Sequence, residues 1–271
     1  MKISMVVSTQ QTKFEAVSFK GDLAVNLENI AKLGYNGAEL AIRDPKLVNG
    51  DALIQLLRQF NLEIPAIGTG QAWGEEGLSY TDPDIKVRES AIERTLSHIP
   101  FAKQTGAIII IGLIRGTPKN GISQSDAAQL MLEAFCYCTQ EAAKEDVRIA
   151  FEPINRYETT LLNSAKDGMD FIEKVASDQL GLLLDTFHMN IEEPNIEQSI
   201  AMCDDRIFHF HVADSNRMYP GAGHLNFPSI LESLYSTGYS GYISGEHKSD
   251  PDAMTSAKLG IEYLRSLGSF C

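Results

Sequence analysis

Four side chains able to ligate a cation each close a short apolar or β-branched run in the second half of the chain. They are Glu152 in VRIAFEP (147–153), Asp185 in LGLLLD (180–185), His211 in RIFHFH (206–211) and Glu246 in YISGE (242–246). Three carboxylates and one imidazole suit a divalent ion that prefers oxygen, such as Mn²⁺ or Mg²⁺, over the thiolate-bound metals. A single acid or histidine at a strand end reads readily as structural. Four in successive units point to a metal site, because burying unpaired carboxylates together without a cation is costly. The same segments bring further polar groups with them: Glu158 in EPINRYE, His188 in DTFHMNIEE and Arg217 in HVADSNR. Arg217 suits a grip on substrate oxygens, with an ion pair to Asp214 as the plainer reading. His188 either meets substrate or only orients Asp185. His209 alternates with Phe208 and Phe210, so it faces the same side as His211 and is expected as a satisfied core histidine.

Positioning such a set requires strands that end together. Runs at 2–8, 37–42, 63–68 and 108–113 supply four strands ahead of the four already named, and helical patterns fall at 22–33, 51–61, 83–104, 123–144, 164–175, 195–202, 227–235 and 253–267. Eight strand–helix units with no linker or low-complexity tract predict an α/β chain folded as one single-domain (β/α)₈ TIM barrel over residues 1–271. In that fold all four ligands project at the C-terminal rim, where such barrels keep their chemistry. An open doubly wound sheet is the alternative, but it gathers ligands at one switch point. Asp51, Asp82, Ser123 and Ser164 are expected helix N-caps.

Composition bounds the function. The chain has 271 residues, 44% of them hydrophobic, and a formal net charge of −13. It is long enough for one large core, and its acidity argues against nucleic acid as a partner. The first residues, MKISMVVSTQQ, do not read as a secretion signal, and the longest apolar stretch, 106–114, is far below spanning length. Cys136, Cys138, Cys203 and Cys271 lack zinc-finger spacing and read as reduced thiols, so a cytoplasmic enzyme with no membrane partner is expected.

DTFHMNIEE, EPINRYE and the segment from HFHVADSNR to PGAGH resemble the sugar isomerase and epimerase group of xylose-isomerase-like barrels, in particular the ketose 3-epimerases that include D-tagatose and D-psicose 3-epimerases. In the N-terminal half, SFKGDL (18–23), AIRDP (41–45), AIGTGQAW (66–73) and IIGLIRG (110–116) resemble the 5-keto-L-gluconate epimerases. The resemblance implies one divalent ion, Mn²⁺ first with Mg²⁺ or Co²⁺ as alternatives, held by Glu152, Asp185, His211 and Glu246. It also implies that Glu158, His188 and Arg217 contact the sugar near its carbonyl end, and that the protein is a homo-oligomer, a dimer or a tetramer. Strand eight departs from the pattern: ketose epimerases tend to follow the last glutamate with Pro, and here Glu246 is followed by His247 and Lys248. The GTGQ stretch (68–71) lacks the third glycine of a dinucleotide fingerprint and is expected to wall the substrate pocket. Trp73 would then be an apolar lid against the sugar, or packing between loop and rim.

These expectations define a reaction. An ion on a ketone oxygen and a neighbouring hydroxyl acidifies the C–H between them, so one glutamate can remove that proton and another return it from the opposite face, inverting the carbon through an enediolate. Glu152 and Glu246, from strands five and eight, are the candidates. The expected small-molecule partner is a keto sugar, and specifically a keto sugar acid of the 5-keto-L-gluconate/D-tagaturonate type. Its carboxylate would be clamped by Arg43 and Arg115, whose plainer readings are a pair with Asp44 and simple exposure. A neutral ketohexose, an aldose–ketose isomerisation and a catalytically inactive sugar-binding barrel are the alternatives.

Overall fold

The structure, a computed structural model, describes residues 1–119 and 121–268. Eight parallel strands, β1 (Lys2–Ser8), β2 (Gly37–Ala41), β3 (Ala66–Gly68), β4 (Ile108–Ile111), β5 (Ile149–Phe151), β6 (Leu180–Asp185), β7 (Ile207–Val212) and β8 (Tyr242–Gly245), pair in sequence order. β1 pairs with β8, which closes the barrel. Around it run helices α1 (Leu23–Leu33), α2 (Gly50–Gln59), α3 (Gly70–Glu76), α4 (Ile85–Ser97), α5 (Ile99–Thr105), α6 (Gln124–Lys144), α7 (Ala165–Val175), α8 (Thr186–Glu192), α9 (Ile196–Cys203), α10 (Phe227–Ser236) and α11 (Ala253–Ser266).

All eight expected strands form. The helix expected at 83–104 is two, α4 and α5, because Pro100 lies in the first turn of α5, where a missing N–H costs nothing, while mid-helix it would break the ladder. His98 sits at the junction, fully buried, with ring nitrogens 2.8 Å from the Arg94 carbonyl and 3.0 Å from that of Ile42. Ser123 and Ser164 cap α6 and α7 as expected. For α2 and α4 the caps are Asn49 and Asp84, not Asp51 and Asp82; Asp82 instead accepts from the Asp84 amide and pairs with Lys119. Helices α3 and α8, seven residues each, lie outside the expected set, being too short to show a periodic pattern.

Alternation along each strand divides the side chains between the helices and the barrel interior. One part of the interior is apolar: Ala66, Ile108, Ile110, Ala150 and Leu183 form a cluster apart from the main core, with Phe208 against it. Another part is polar and hydrogen-bonded from β1 through β2 and β7 to β8, through Ser4, Glu39, His209, His211 and Ser244. Cys136 is exposed and Cys138 and Cys203 are buried, all three free thiols; Cys271 lies outside the described residues. Among the described residues no helix is long and apolar enough to cross a membrane.

Candidate metal centre

Parallel pairing places the four candidate ligands at one level of the barrel. Asp185, last residue of β6, stands opposite His211 of β7, and Val212 stands opposite Gly245, the residue before Glu246. Glu152 follows β5 directly, its amide bonded to the Ile111 carbonyl at 3.1 Å. One ligating atom from each of Glu152, Asp185, His211 and Glu246 lies within 4.8 Å of all the others. His211 Nδ1 is 3.8 Å from both Asp185 Oδ2 and Glu246 Oε2.

Two of these atoms carry the test of fit. Asp185 Oδ2 and His211 Nδ1 are buried without a hydrogen-bond partner, which a folded protein rarely tolerates. Their other atoms are engaged: Asp185 Oδ1 caps α8 by accepting from the Phe187 amide at 2.7 Å, and His211 Nε2 faces Glu39 at 2.9 Å. The unsatisfied pair is therefore aimed at the common centre, and the donor set of three carboxylates and one imidazole fits a divalent cation. A Cβ at Gly112 would lie 2.4 Å from Glu152 Oε2 and would push that carboxylate from its place in the cluster.

Without a cation the carboxylates resist ionising together. Burial, then the charge of Glu246, raises Glu152 to about 8, and burial raises Glu246 to about 7, with Asp185 and Glu39 adding to the effect. Asp185 is raised as well, by burial. His211 is pushed down by burial, but the Glu39 carboxylate outweighs this and lifts it to about 10. An incoming divalent ion must displace these protons. Metal binding at pH 7 should therefore release protons, and affinity should strengthen as pH rises through the interval from about 7, where Glu246 titrates, to about 10, where His211 does. Calorimetric titration in buffers of different ionisation enthalpy measures the release; a pH-independent affinity would contradict it.

Glu158, His188 and Arg217 join the same cavity, which has a volume of about 50 Å³. Arg217 Nη1 donates to Glu158 Oε1 at 2.8 Å, and its guanidinium lies 4.8 Å from the Phe187 ring and 5.8 Å from that of Phe14. Asp214 is not its side-chain partner, because that carboxylate accepts the amides of Ser215, Gly221 and Leu225 and so fixes the loop that carries Arg217. Asn155, unnoticed in the sequence, links two of the groups: its Nδ2 is 3.0 Å from Glu158 Oε1 and 2.7 Å from His188 Nδ1. His188 therefore accepts at Nδ1 and turns Nε2 toward Glu152 Oε1, 3.8 Å away. Burial, then Arg217 and Arg115, holds it well below the usual histidine range, so the ring is neutral. Of the GTGQ stretch, Gly68, Thr69 and Gly70 line the cavity, whereas Gln71 donates from Nε2 to Ser8 Oγ at 2.8 Å and is not in the lining.

The expected carboxylate clamp is not assembled. Arg115 has no exposed surface; its Nη1 donates to the Glu152 carbonyl, its Nη2 donates to the Leu161 carbonyl at 3.1 Å, and it stacks on Phe151. It is a strut behind Glu152. Arg43 lies outside the cavity lining and pairs with Glu76 at 3.2 Å, while Asp44 pairs with Arg94. Trp73 packs against the main core from α3 and is not in the lining. His247 is buried beside Tyr219, also outside the lining. The residue missed by sequence reasoning and closest to the chemistry is Glu39 of β2, 2% exposed, which faces His211 and also His209 at 2.7 Å.

A closed parallel barrel with an acidic, histidine-containing ligand cluster at its rim defines a class, and comparison with known proteins gives the family. The chain belongs to the xylose isomerase-like TIM barrel family, which matches residues 27–267. Among its relatives, the L-ribulose 3-epimerase of Methylomonas sp. (strain DH-1) is 30% identical over 220 residues, 80% of this chain and 75% of that one. The 3-dehydro-D-guloside 4-epimerase of Escherichia coli (strain K12) is 35% identical over 251 residues, 88% of this chain and 90% of that one. In fold, the D-psicose 3-epimerase of Clostridium cellulolyticum H10, solved with D-tagatose, aligns with a TM-score of 0.85 over 98% of this chain and 99% of that one, at 22% identity.

Proposed function

We propose that this protein is a metal-dependent epimerase that inverts the carbon next to the ketone of a neutral keto sugar. The observation that carries the reading is the convergence of Glu152, Asp185, His211 and Glu246 on one centre with two ligating atoms left unsatisfied. The relatives named as 3- and 4-epimerases of sugars support it. A divalent ion held by these four residues would supply electrostatic stabilisation of the negative charge that develops on substrate oxygens. Glu152 and Glu246 then hold and move the protons. They stand three strands apart around the ring and both line the cavity, so a carbon between them is reached from two sides. Each has two carboxylate oxygens, one for a ligating role and one for the proton. His188 offers its Nε2–H to a substrate oxygen, and Arg217, fixed by Glu158, Phe14 and Phe187, positions a hydroxyl. Phe14 and Arg217 also line a wider hollow of about 470 Å³, through which substrate would enter.

The neutral reading rests on the inner cavity beside the candidate ligands, since Lys13 and Lys248 line only the outer hollow. Arg217 is the one Lys or Arg lining the cavity among the described residues, and Glu158 already pairs with it. A buried carboxylate without a cationic partner costs several kcal/mol. Wild-type kcat/KM for D-tagatose, D-psicose or L-ribulose should therefore exceed that for D-tagaturonate by about tenfold or more. A preference for D-tagaturonate would restore the keto-acid reading.

A further inference from the structure

We infer that Glu39 is a positioning residue of the metal centre: it holds His211 in the ring orientation and tautomer that present Nδ1 to the ligand cluster. The inference rests on the reading that the four groups bind a divalent ion.

In β2, GAELA, every residue is buried, and Glu39 is the one that carries charge. A carboxylate inside a barrel has to be desolvated, and an apolar side chain of similar size would pack there at lower cost. Among the described residues no Lys or Arg forms an ion pair with Glu39. What it meets is two imidazoles: His209 Nε2 lies 2.7 Å from Oε2, and His211 Nε2 lies 2.9 Å from Oε1 and 3.0 Å from Oε2. His209 Nε2 is also 3.1 Å from Ser244 Oγ, which bonds in turn to Ser4 Oγ. The carboxylate is thus held by two side chains of β7, and His209 is tied in turn to Ser244 of β8 and through it to Ser4 of β1.

The consequence falls on His211. A neutral imidazole carries one proton, and the nitrogen that donates decides which nitrogen keeps a lone pair. With Glu39 keeping the Nε2 proton, the proton that an incoming ion displaces is the one on Nδ1, so the lone pair offered to the ion is on the buried atom that stands 3.8 Å from Asp185 Oδ2 and Glu246 Oε2. The His209 ring, edge-on to His211 at a centroid distance of 5.3 Å, blocks rotation on one flank. Glu39, His209 and His211 could themselves be taken for a second metal cluster, since their ligating atoms also lie within 4.8 Å of one another. Those atoms already satisfy each other by hydrogen bonds, whereas the four-ligand cluster leaves atoms free, so the carboxylate is a support and not a ligand.

The test is metal affinity, read apart from turnover. Wild type, Glu39→Gln and Glu39→Ala are stripped with a chelator and titrated with Mn²⁺, and thermal melting is followed in parallel. Loss of such a supporting partner weakens binding about 10- to 100-fold, expected for Glu39→Ala. Glu39→Gln should lose less, because its amide oxygen still accepts from Nε2–H. In Mg²⁺-loaded protein, ¹⁵N spectra of the His211 ring should place the proton on Nε2 in wild type. Should Glu39→Ala fail to fold, Glu39→Gln and the ring spectrum decide the matter. Wild-type binding with both variants within about twofold of it, two Mn²⁺ ions bound per chain, or a proton on Nδ1 overturns the inference alone. A wild type that binds no Mn²⁺ removes the metal reading and this inference with it.

Discussion

Glu152→Gln and Glu246→Gln should each lower kcat by roughly 10² to 10⁴, the usual worth of a positioned acid or base, while the barrel remains folded. Both side chains line the cavity, and burial keeps both near neutrality before any ion binds, Glu152 at about 8 and Glu246 at about 7. Glutamine keeps an oxygen for ligation but cannot take a proton, so metal content measured alongside separates the two roles. If one glutamate serves each face of the substrate, one of the two variants should still exchange the substrate proton with solvent without completing inversion. Near-normal turnover in both, with metal bound, would make them spectators.

Asp185→Asn and His211→Ala should empty the metal site and abolish activity. Each contributes one of the two buried, unpartnered atoms aimed at the centre, and in each case a second contact keeps the surroundings in place. The amide oxygen introduced by Asp185→Asn would still cap α8. The His211→Ala change leaves Glu39 its bond to His209. Elemental analysis of the purified variants checks this, and full metal occupancy in both would remove the ligand assignment.

The place of the four candidate ligands was legible because a strand run that ends in a polar side chain marks both the element and the rim of the barrel at once. Glu39 was not, for the opposite reason. It lies in mid-strand, where a lone acid among alternating residues normally faces solvent, and only closure of the barrel turns that face inward. Arg115 misled for a related reason: it lies four residues past the end of β4, where an exposed clamp is reasonable, but it ends a 3-10 turn, Leu113–Arg115, and its guanidinium is taken up by the carbonyls of Glu152 and Leu161. Asn155, inside EPINRYE, carries no charge, and although its bond to Glu158 is local, the one to His188 spans 33 residues, so the bridge between them was not legible. The break between α4 and α5 was legible in principle at Pro100, although the apolar pattern runs on across it. The short helices α3 and α8 had no such signal, yet the N-cap of α8 is itself a candidate metal ligand, Asp185.

The central claim, proton abstraction and return at a carbon beside a ketone, is tested most directly by proton NMR of a panel of keto sugars incubated with Mg²⁺-loaded enzyme in D₂O. The account predicts that one neutral keto sugar is converted to its epimer with deuterium entering at the inverted carbon, and that chelation stops both changes together. Formation of an aldose, or an epimer that retains its original proton, would contradict it.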